Sequence, residues 1–253
     1  MPISKSDFIR ALQCEKMLWL DSHKPEEKII PPNIQARLEQ GNAFGDIAMG
    51  IFGEFKETTC FKPDGRLDYA QMIKTTALLL AKQTPVICEG AFSWLGNFCA
   101  TDILKKDGDF YSLYEVKDSA FIKKEFLLDL AFQRMLLKKC NVKISDAFLV
   151  LNGEKYEQEN EKQGGQGCVE RKIRIQKDGC VFDIFCVSEQ VYPLEKIVER
   201  NLFPFGKIKR KDAPMPQKQM GEHCYSPYPC WYLHYCEKVC VQENIQNNLQ
   251  KNE

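Results

Sequence analysis

The dipeptide Asp107-Gly108 lies between two segments with strand-like sequences, at residues 98–105 and 110–117. Asp-Gly between such segments is among the strongest short-range signals for a β-hairpin, because both central positions of a type I′ turn require a positive φ. The signal therefore predicts two neighbouring antiparallel strands near the middle of the chain, around which the rest of the fold must be built.

This hairpin predicts a cluster of charged side chains on one face. With the dipeptide as the two turn residues, Asp102 lies opposite Leu113. Side chains alternate between the faces of a strand, so Leu113, Glu115 and Lys117 share the face from which Asp102 points. Asp102 and Glu115 are then diagonal neighbours, with Cα atoms ~7–8 Å apart. Both carboxylates can therefore reach one ion, with Lys117 just beyond.

The surroundings of these charges decide between two interpretations. Alternating Glu-x-Lys is also typical of a solvated strand face, but the segment YSLYEVKDSAF is rich in apolar residues. Buried carboxylates need a counter-charge or a metal. Asp102, Glu115 and the main-chain carbonyl of Val116 form a hard oxygen site suited to Mg²⁺ or Mn²⁺. Lys117 suits a role in orienting a water molecule or stabilising a transition state.

The remaining pattern alternates helices with strands, which predicts an α/β fold. Helices are predicted at about 4–20, 33–52, 69–82, 123–138 and 194–202, and further strands at 86–92 and 146–151. Ser4 and Asp7 form a capping box for the first helix, and Leu38 belongs to the buried stripe of the second. A Gly/Gln/Glu-rich loop around 157–167 precedes a second hairpin at 170–187, which turns at Asp178-Gly179.

Three further polar residues lie on predicted elements near the hairpin. Asp129 and Gln133 are four residues apart and so share one helix face. Gln133 is interpreted as holding the lysine, the water or a phosphate, or else as a surface amide, and Asp129 as a surface carboxylate. Glu89, on the first strand, is either another metal ligand or a charge at a strand end.

Twelve cysteines are too many for background in a chain whose N-terminal segment lacks a secretion signal. We therefore expect a cytoplasmic protein, in which clustered cysteines indicate metal binding rather than disulfides. Cys224, Cys230 and Cys236 are spaced by five residues each. A fourth ligand would be either Cys240 or Cys14. The tyrosines and tryptophans around these cysteines are expected to shield a metal centre, or alternatively to stack on unpaired bases.

The chain has 35 Lys and Arg against 35 Asp and Glu. This balance excludes a polycationic coat for nucleic acid, so an anionic partner must be bound by a local patch. The densest basic run consists of Lys207, Lys209, Arg210 and Lys211, and it suits either a phosphate backbone or a solvated loop. No apolar run approaches the ~20 residues of a membrane helix, so no membrane association is expected.

Asp102, then Glu115-Val116-Lys117 on a hairpin, then a helix bearing Gln133 resemble the PD-(D/E)xK nuclease signature. More narrowly, the chain is similar to the RecB-like exonucleases. The resemblance implies a restriction-endonuclease-like core, a mixed central sheet flanked by helices, at about 30–155, with an accessory hairpin and helix to about 215.

The chain departs from this pattern at three positions. Gly96 comes too early for the GxxD element of the RecB-like branch. Leu137 stands where the RecB-like branch usually has Tyr, and Gly45 stands where it often has a metal-binding His. If the site is active, Glu89, or less favourably Asp46, replaces that histidine as a ligand.

The two ends of the chain resemble CRISPR-associated exonucleases and their uncharacterised bacterial relatives. Those proteins hold a [4Fe–4S] cluster with one N-terminal and three C-terminal cysteines. The resemblance implies that Cys14, Cys224, Cys230 and Cys236 bind such a cluster, with Zn²⁺ as the alternative metal. It also implies one nuclease domain over 1–240, with cluster-binding termini at 1–25 and 216–240. Residues 241–253 are expected to be a flexible tail.

The function implied by the resemblance is metal-dependent hydrolysis of DNA by an exonuclease that prefers single strands, in repair or defence. The alternative is an inactive nucleic-acid-binding or scaffold protein that keeps the cluster. A redox protein is disfavoured, because the cysteines lack a Cys-x-x-Cys pair.

Overall fold

The computed structural model describes residues 1–162 and 171–239. Its strands form one sheet in the order β1-β2-β3-β4-β5-β7-β6, in which β1 pairs parallel with β2 and β4 pairs parallel with β5. The strands are β1 (Lys56–Glu57), β2 (Val86–Trp94), β3 (Asn97–Asp107), β4 (Phe110–Lys117), β5 (Ile144–Asn152), β6 (Arg171–Lys177) and β7 (Cys180–Cys186). The predicted α/β class, with a mixed sheet flanked by helices, is confirmed.

Helices cover both faces of this sheet. They are α1 (Lys5–Gln13), α2 (Glu15–His23), α3 (Pro32–Ala48), α4 (Tyr69–Ala81), α5 (Lys124–Lys139), α6 (Gly153–Lys162), α7 (Ser188–Val191) and α8 (Glu195–Ile208), with short 3₁₀ turns at Pro25–Glu27, Tyr192–Leu194 and Glu222–Cys224. Residues 233–239 are also helical. Among the described helices, none is both long and apolar enough to cross a bilayer.

The central hairpin forms as predicted, but its register is different. Asp107 pairs with Phe110, so Gly108 and Asp109 are the two turn residues. Only Gly108 has a positive φ there, which is typical of a type II′ turn with Gly at its first central position. The pairing differs from the predicted one by two residues, an even number, so each side chain stays on the predicted face. The register therefore places Asp102 opposite Glu115 instead of opposite Leu113.

The predicted N-terminal helix is two helices. Ser4 and Asp7 form the predicted capping box of α1, but the chain becomes extended at Cys14, with φ −157° and ψ 114°. Cys14 ends α1 and begins α2. Helical periodicity continues across the break, so the sequence pattern alone does not reveal it. The consequence is that the Cys14 side chain lies at a bend rather than on a continuous helix face.

Two other predictions need correction. Leu38, predicted to be buried, is 43% exposed, because the N-terminal half of α3 stands away from the core. The predicted loop at 157–167 is helical at its start, within α6, while 163–170 lie outside the described residues. The predicted tail at 241–253 and Cys240 also lie outside them. The second hairpin is confirmed, with positive φ at both Asp178 and Gly179.

The core has one layer on each face of the sheet. On one face, Leu113 and neighbouring strand residues pack against apolar side chains of α1, α5 and α8. On the other face, Tyr114 and Val116 pack with Phe44 of α3. Because side chains alternate along β4, Glu115 points into the layer that contains α5. A charged side chain is thus placed inside an apolar layer, where it needs partners.

Candidate active site

Acidic side chains on three neighbouring strands meet beneath α5. The register places Asp102 of β3 opposite Glu115 of β4. Between β2 and β3, the paired residues Cys88–Ile103 and Gly90–Thr101 flank Glu89 and Asp102. Glu89 therefore lies opposite Asp102, on the edge of β3 that is away from β4. Glu89 also has a positive φ of 55°, an uncommon conformation for a non-glycine residue.

Glu115 is completely buried, and two lysines neutralise it. Lys117 Nζ lies 2.6 Å from Glu115 Oε1, and Lys5 Nζ lies 3.1 Å from the same atom. Lys117 is at the predicted position, whereas Lys5 comes from the start of α1 and was not predicted. No local sequence pattern indicates this contact, because Lys5 reaches the strands only through the packing of α1 against the sheet and α5.

The α5 side chains complete the cluster. Gln133 is also fully buried, so the alternative of a surface amide is wrong; it donates a hydrogen bond of 2.5 Å from Nε2 to Glu115 Oε2. Asp129 Oδ2 accepts a hydrogen bond of 3.0 Å from Lys117 and lies 3.8 Å from Lys5 Nζ. The interpretation of Asp129 as a surface residue is wrong, because this carboxylate is only 7% exposed.

The electrostatics of the cluster follow from burial and from these pairings. Burial alone would raise the pKa of Glu115, but Lys117 and Lys5 hold it well below its ordinary value. Burial, followed by repulsion from Glu115, raises the pKa of Asp129 to about 6. Burial, followed by repulsion from Asp102, raises the pKa of Glu89 to about 7. The carboxylates of the cluster therefore outnumber its two lysines, which do not fully neutralise them.

The acidic cluster offers carboxylate and amide oxygens, the type of donor atom that a hard divalent cation prefers. Asp102 Oδ2 accepts a hydrogen bond of 2.7 Å from the amide of Val116, which fixes this carboxylate beside the backbone predicted to supply a ligand. Among the described residues, Asp129 Oδ1 and Gln133 Oε1 are buried oxygens without a hydrogen-bond partner. Within that same part of the chain, no three His, Cys, Asp or Glu side chains are grouped as a bound metal requires.

A groove of about 460 Å³ opens from this cluster towards solvent. Of the cluster, Lys5, Lys117 and Asp129 line it. Its walls carry further cationic residues and aromatic residues, namely Arg10, Arg37, Lys123, Lys155, Phe126, Tyr228 and Trp231. The exposed half of α3, including Leu38, forms part of one wall. Cationic groups beside aromatic faces suit an unpaired nucleic acid strand.

The predicted basic run does not reach this groove. Lys209 pairs with Asp7 at 2.7 Å and so supports the start of α1. Lys207 lies 4.6 Å above the ring of Phe203, and both line a different cavity of about 740 Å³ together with Arg210. Lys211 is exposed. The binding of nucleic acid by this run stays a prediction.

The four predicted cluster ligands converge from both ends of the chain. Cys14, Cys224, Cys230 and Cys236 line one small pocket, together with Met17 and His223 among others. Burial raises the pKa of Cys230 to about 11, and the nearby thiols of the other three cysteines contribute to the shift. A set of four cysteine sulfurs suits a [4Fe–4S] cluster or Zn²⁺.

An apolar cluster that contains aromatic side chains packs beside this cysteine pocket. Tyr232 is completely buried and donates a hydrogen bond of 2.9 Å to Asp21. Trp231 packs against the same apolar cluster, which also contains Cys14 and Leu20. Trp231 in addition lines the groove, so this one side chain joins the groove to the apolar cluster around Cys14.

Comparison with known proteins adds no family assignment. No family model, curated protein or solved structure matches this chain. What the chain does must therefore be argued from the cluster, the groove and the cysteine pocket.

Proposed function

We propose that this chain is a metal-dependent nuclease of the PD-(D/E)xK type, with a restriction-endonuclease-like core. The observation that carries the proposal is the convergence of Asp102, Glu115, Lys117 and Gln133 on one cluster, of which Lys117 lines a groove with cationic walls. The fold around it, with β2, β3 and β4 antiparallel and α5 crossing to the parallel strand β5, agrees with such a core.

The roles of the residues follow from their positions. Asp102 and Glu115, with Glu89 and the Val116 carbonyl, would hold Mg²⁺ or Mn²⁺. The ion, when bound, acidifies a water molecule and neutralises charge on the phosphate. Lys117 lies beside Glu115 and orients the attacking water as a fixed cation. Gln133 holds the Glu115 carboxylate in place through its amide.

The groove supports single-stranded DNA as the substrate. Arg37 and Lys123 offer charges for phosphates, Lys155 is paired with Asp118 at 2.7 Å, and Phe126 and Tyr228 offer ring faces for unpaired bases. Base stacking of this kind tolerates every sequence, because each base has a π-face. An exonuclease acting on single strands in repair or defence in the cytoplasm agrees with this arrangement.

The cysteine pocket supports a structural [4Fe–4S] cluster, with Zn²⁺ as the alternative. Bonds from Cys14 and the three C-terminal cysteines would close a loop of more than 200 residues. A crosslink over such a distance restricts the unfolded chain strongly. The whole of 1–240 would then act as one nuclease domain with joined termini.

The alternative proposal is an inactive nucleic-acid-binding or scaffold protein that retains the cluster. One observation favours it: the Lys5 ammonium group already neutralises the carboxylates that would hold the metal. A site that has lost its metal would be expected to keep such an internal counter-ion.

One preparation distinguishes the two proposals. The full chain is purified anaerobically and incubated with Mn²⁺ and single-stranded DNA, either linear and end-labelled or circular. We expect release of nucleotides from the linear strand only, and no release by Glu115→Gln. Tight binding of the linear strand, without cleavage in Mn²⁺ or in Mg²⁺, would support the scaffold proposal and overturn the nuclease proposal.

A further inference from the structure

Lys5 lies within 4.0 Å of three carboxylates of the acidic cluster, although no pattern in the sequence places it there. Its Nζ atom lies 3.1 Å from Glu115, 3.8 Å from Asp129 and 4.0 Å from Asp102. The side chain is 20% exposed, because it also lines the groove. Lys5 therefore touches both the carboxylates and the space that a substrate would enter.

The backbone of Lys5 is held from several sides. Ile3, two residues before Lys5, is fully buried, donates a hydrogen bond to Asn97 and accepts one from Phe98. The capping box of Ser4 and Asp7 fixes the first turn of α1. Because the backbone is anchored in this way, only the side chain of Lys5 can change its partners.

The charges of the cluster indicate what Lys5 does in a loaded site. Asp102, Glu115 and Asp129 bring three negative charges, and Lys5 and Lys117 bring two positive ones. A divalent cation and one phosphodiester would then make the site neutral. Without Lys5, the loaded site would have an excess of negative charge, even before Glu89 is counted. Further negative charge develops at this place in the transition state.

We propose that Lys5 is a second catalytic lysine, which contacts the substrate phosphodiester. When Asp102 and Glu115 bind the divalent cation, Lys5 keeps Asp129 as its partner and turns its ammonium group to a non-bridging oxygen of the phosphate. This inference rests on the proposed nuclease function. The competing account is that Lys5 is only an internal counter-ion, which the metal displaces.

The test compares Lys5→Met, Lys5→Arg and the wild type, with Lys74→Met as a control. Lys74 lies exposed on α4 and does not line the groove. Cleavage of end-labelled single-stranded DNA is measured at saturating Mn²⁺. We expect Lys5→Met to lower kcat ~100-fold or more, in the range found when one stabilising donor is removed. Lys5→Arg should restore part of the loss, and Lys74→Met should match the wild type.

A binding measurement separates this inference from the nuclease proposal. Affinity for a fluorescent oligo(dT) is measured in Ca²⁺ at several salt concentrations. Loss of one phosphate contact should lower the salt slope of Lys5→Met by ~0.7 relative to the wild type and to Lys74→Met. This result is expected even if the wild type cleaves nothing, in which case the nuclease proposal alone fails.

Two results would overturn the role of Lys5. The first is unchanged or faster cleavage by Lys5→Met at saturating Mn²⁺, with tighter Mn²⁺ binding, as a displaced counter-ion requires. The second is an unchanged salt slope for oligonucleotide binding. Thermal unfolding of each variant identifies any loss of folded protein.

Discussion

Lys5 and Glu115 are 110 residues apart in the chain, yet Nζ of one lies 3.1 Å from Oε1 of the other. This ion pair joins the first turn of α1 to the central strand β4. The same helix ends at Cys14, in the cysteine pocket. The N-terminal helix thus connects the acidic cluster to the cysteine pocket, and the function of each site depends on where this helix lies.

Nucleic acid binding should depend on the groove rather than on the run at 207–211. We expect Arg37→Ala and Lys123→Ala each to weaken oligonucleotide binding and to lower the salt slope by ~0.7, because each removes one phosphate contact. Lys211→Ala is the matched control, since Lys211 is exposed outside the groove. Fluorescence anisotropy at several salt concentrations measures the slopes. An effect of Lys211→Ala equal to the other two would contradict the assignment.

Metal binding at the cysteine pocket should depend on Cys14. We expect Cys14→Ser, purified anaerobically, to lose most of its iron and sulfide, because one of four ligands is removed. Cys60→Ser is the control, since Cys60 does not line the pocket. Elemental analysis identifies the metal and distinguishes iron from zinc. Equal metal content in both variants would show that Cys14 is not a ligand.

The metal-free protein should become less stable as the pH rises, because Glu89 titrates. Its pKa is raised from 4.5 to about 7 in the folded chain, so the folded state holds the proton more tightly than the unfolded chain does. The resulting stabilisation is present below pH 4.5 and is lost as the pH rises to about 7. Glu89→Gln cannot ionise, so its Tm relative to wild type should increase across this range. A Tm difference that does not change with pH would rule out the shift.

The sequence was sufficient for the elements with strong local signals. Asp-Gly pairs predicted both hairpins, and period-2 alternation placed Asp102, Glu115 and Lys117 on one face even though the register differed. The spacing of the cysteines, with the resemblance, predicts that Cys14 meets Cys224, Cys230 and Cys236, and these four residues line one pocket. These predictions depend on turn chemistry and periodicity, which act over a few residues.

The features that the sequence does not predict depend on contacts between residues far apart in the chain. Lys5 reaches the cluster only because α1 packs against the sheet and α5, and no local pattern encodes that packing. The sequence pattern places Asp129 on a helix surface, but α5 is buried on nearly all sides. The bend at Cys14 has no helix-breaking residue to signal it. In each case tertiary packing, rather than local preference, decides the environment.

The proposed hydrolysis depends on Lys117, which lies beside the carboxylates of Asp102 and Glu115 that would hold the metal. The most direct measurement compares wild type and Lys117→Met for Mn²⁺ affinity and for cleavage of end-labelled single-stranded DNA by the same anaerobic preparations. We predict that Lys117→Met still binds Mn²⁺ but cleaves ~100-fold more slowly or worse, because it keeps the carboxylates and loses the fixed cation. Cleavage by Lys117→Met at the wild-type rate would contradict the account.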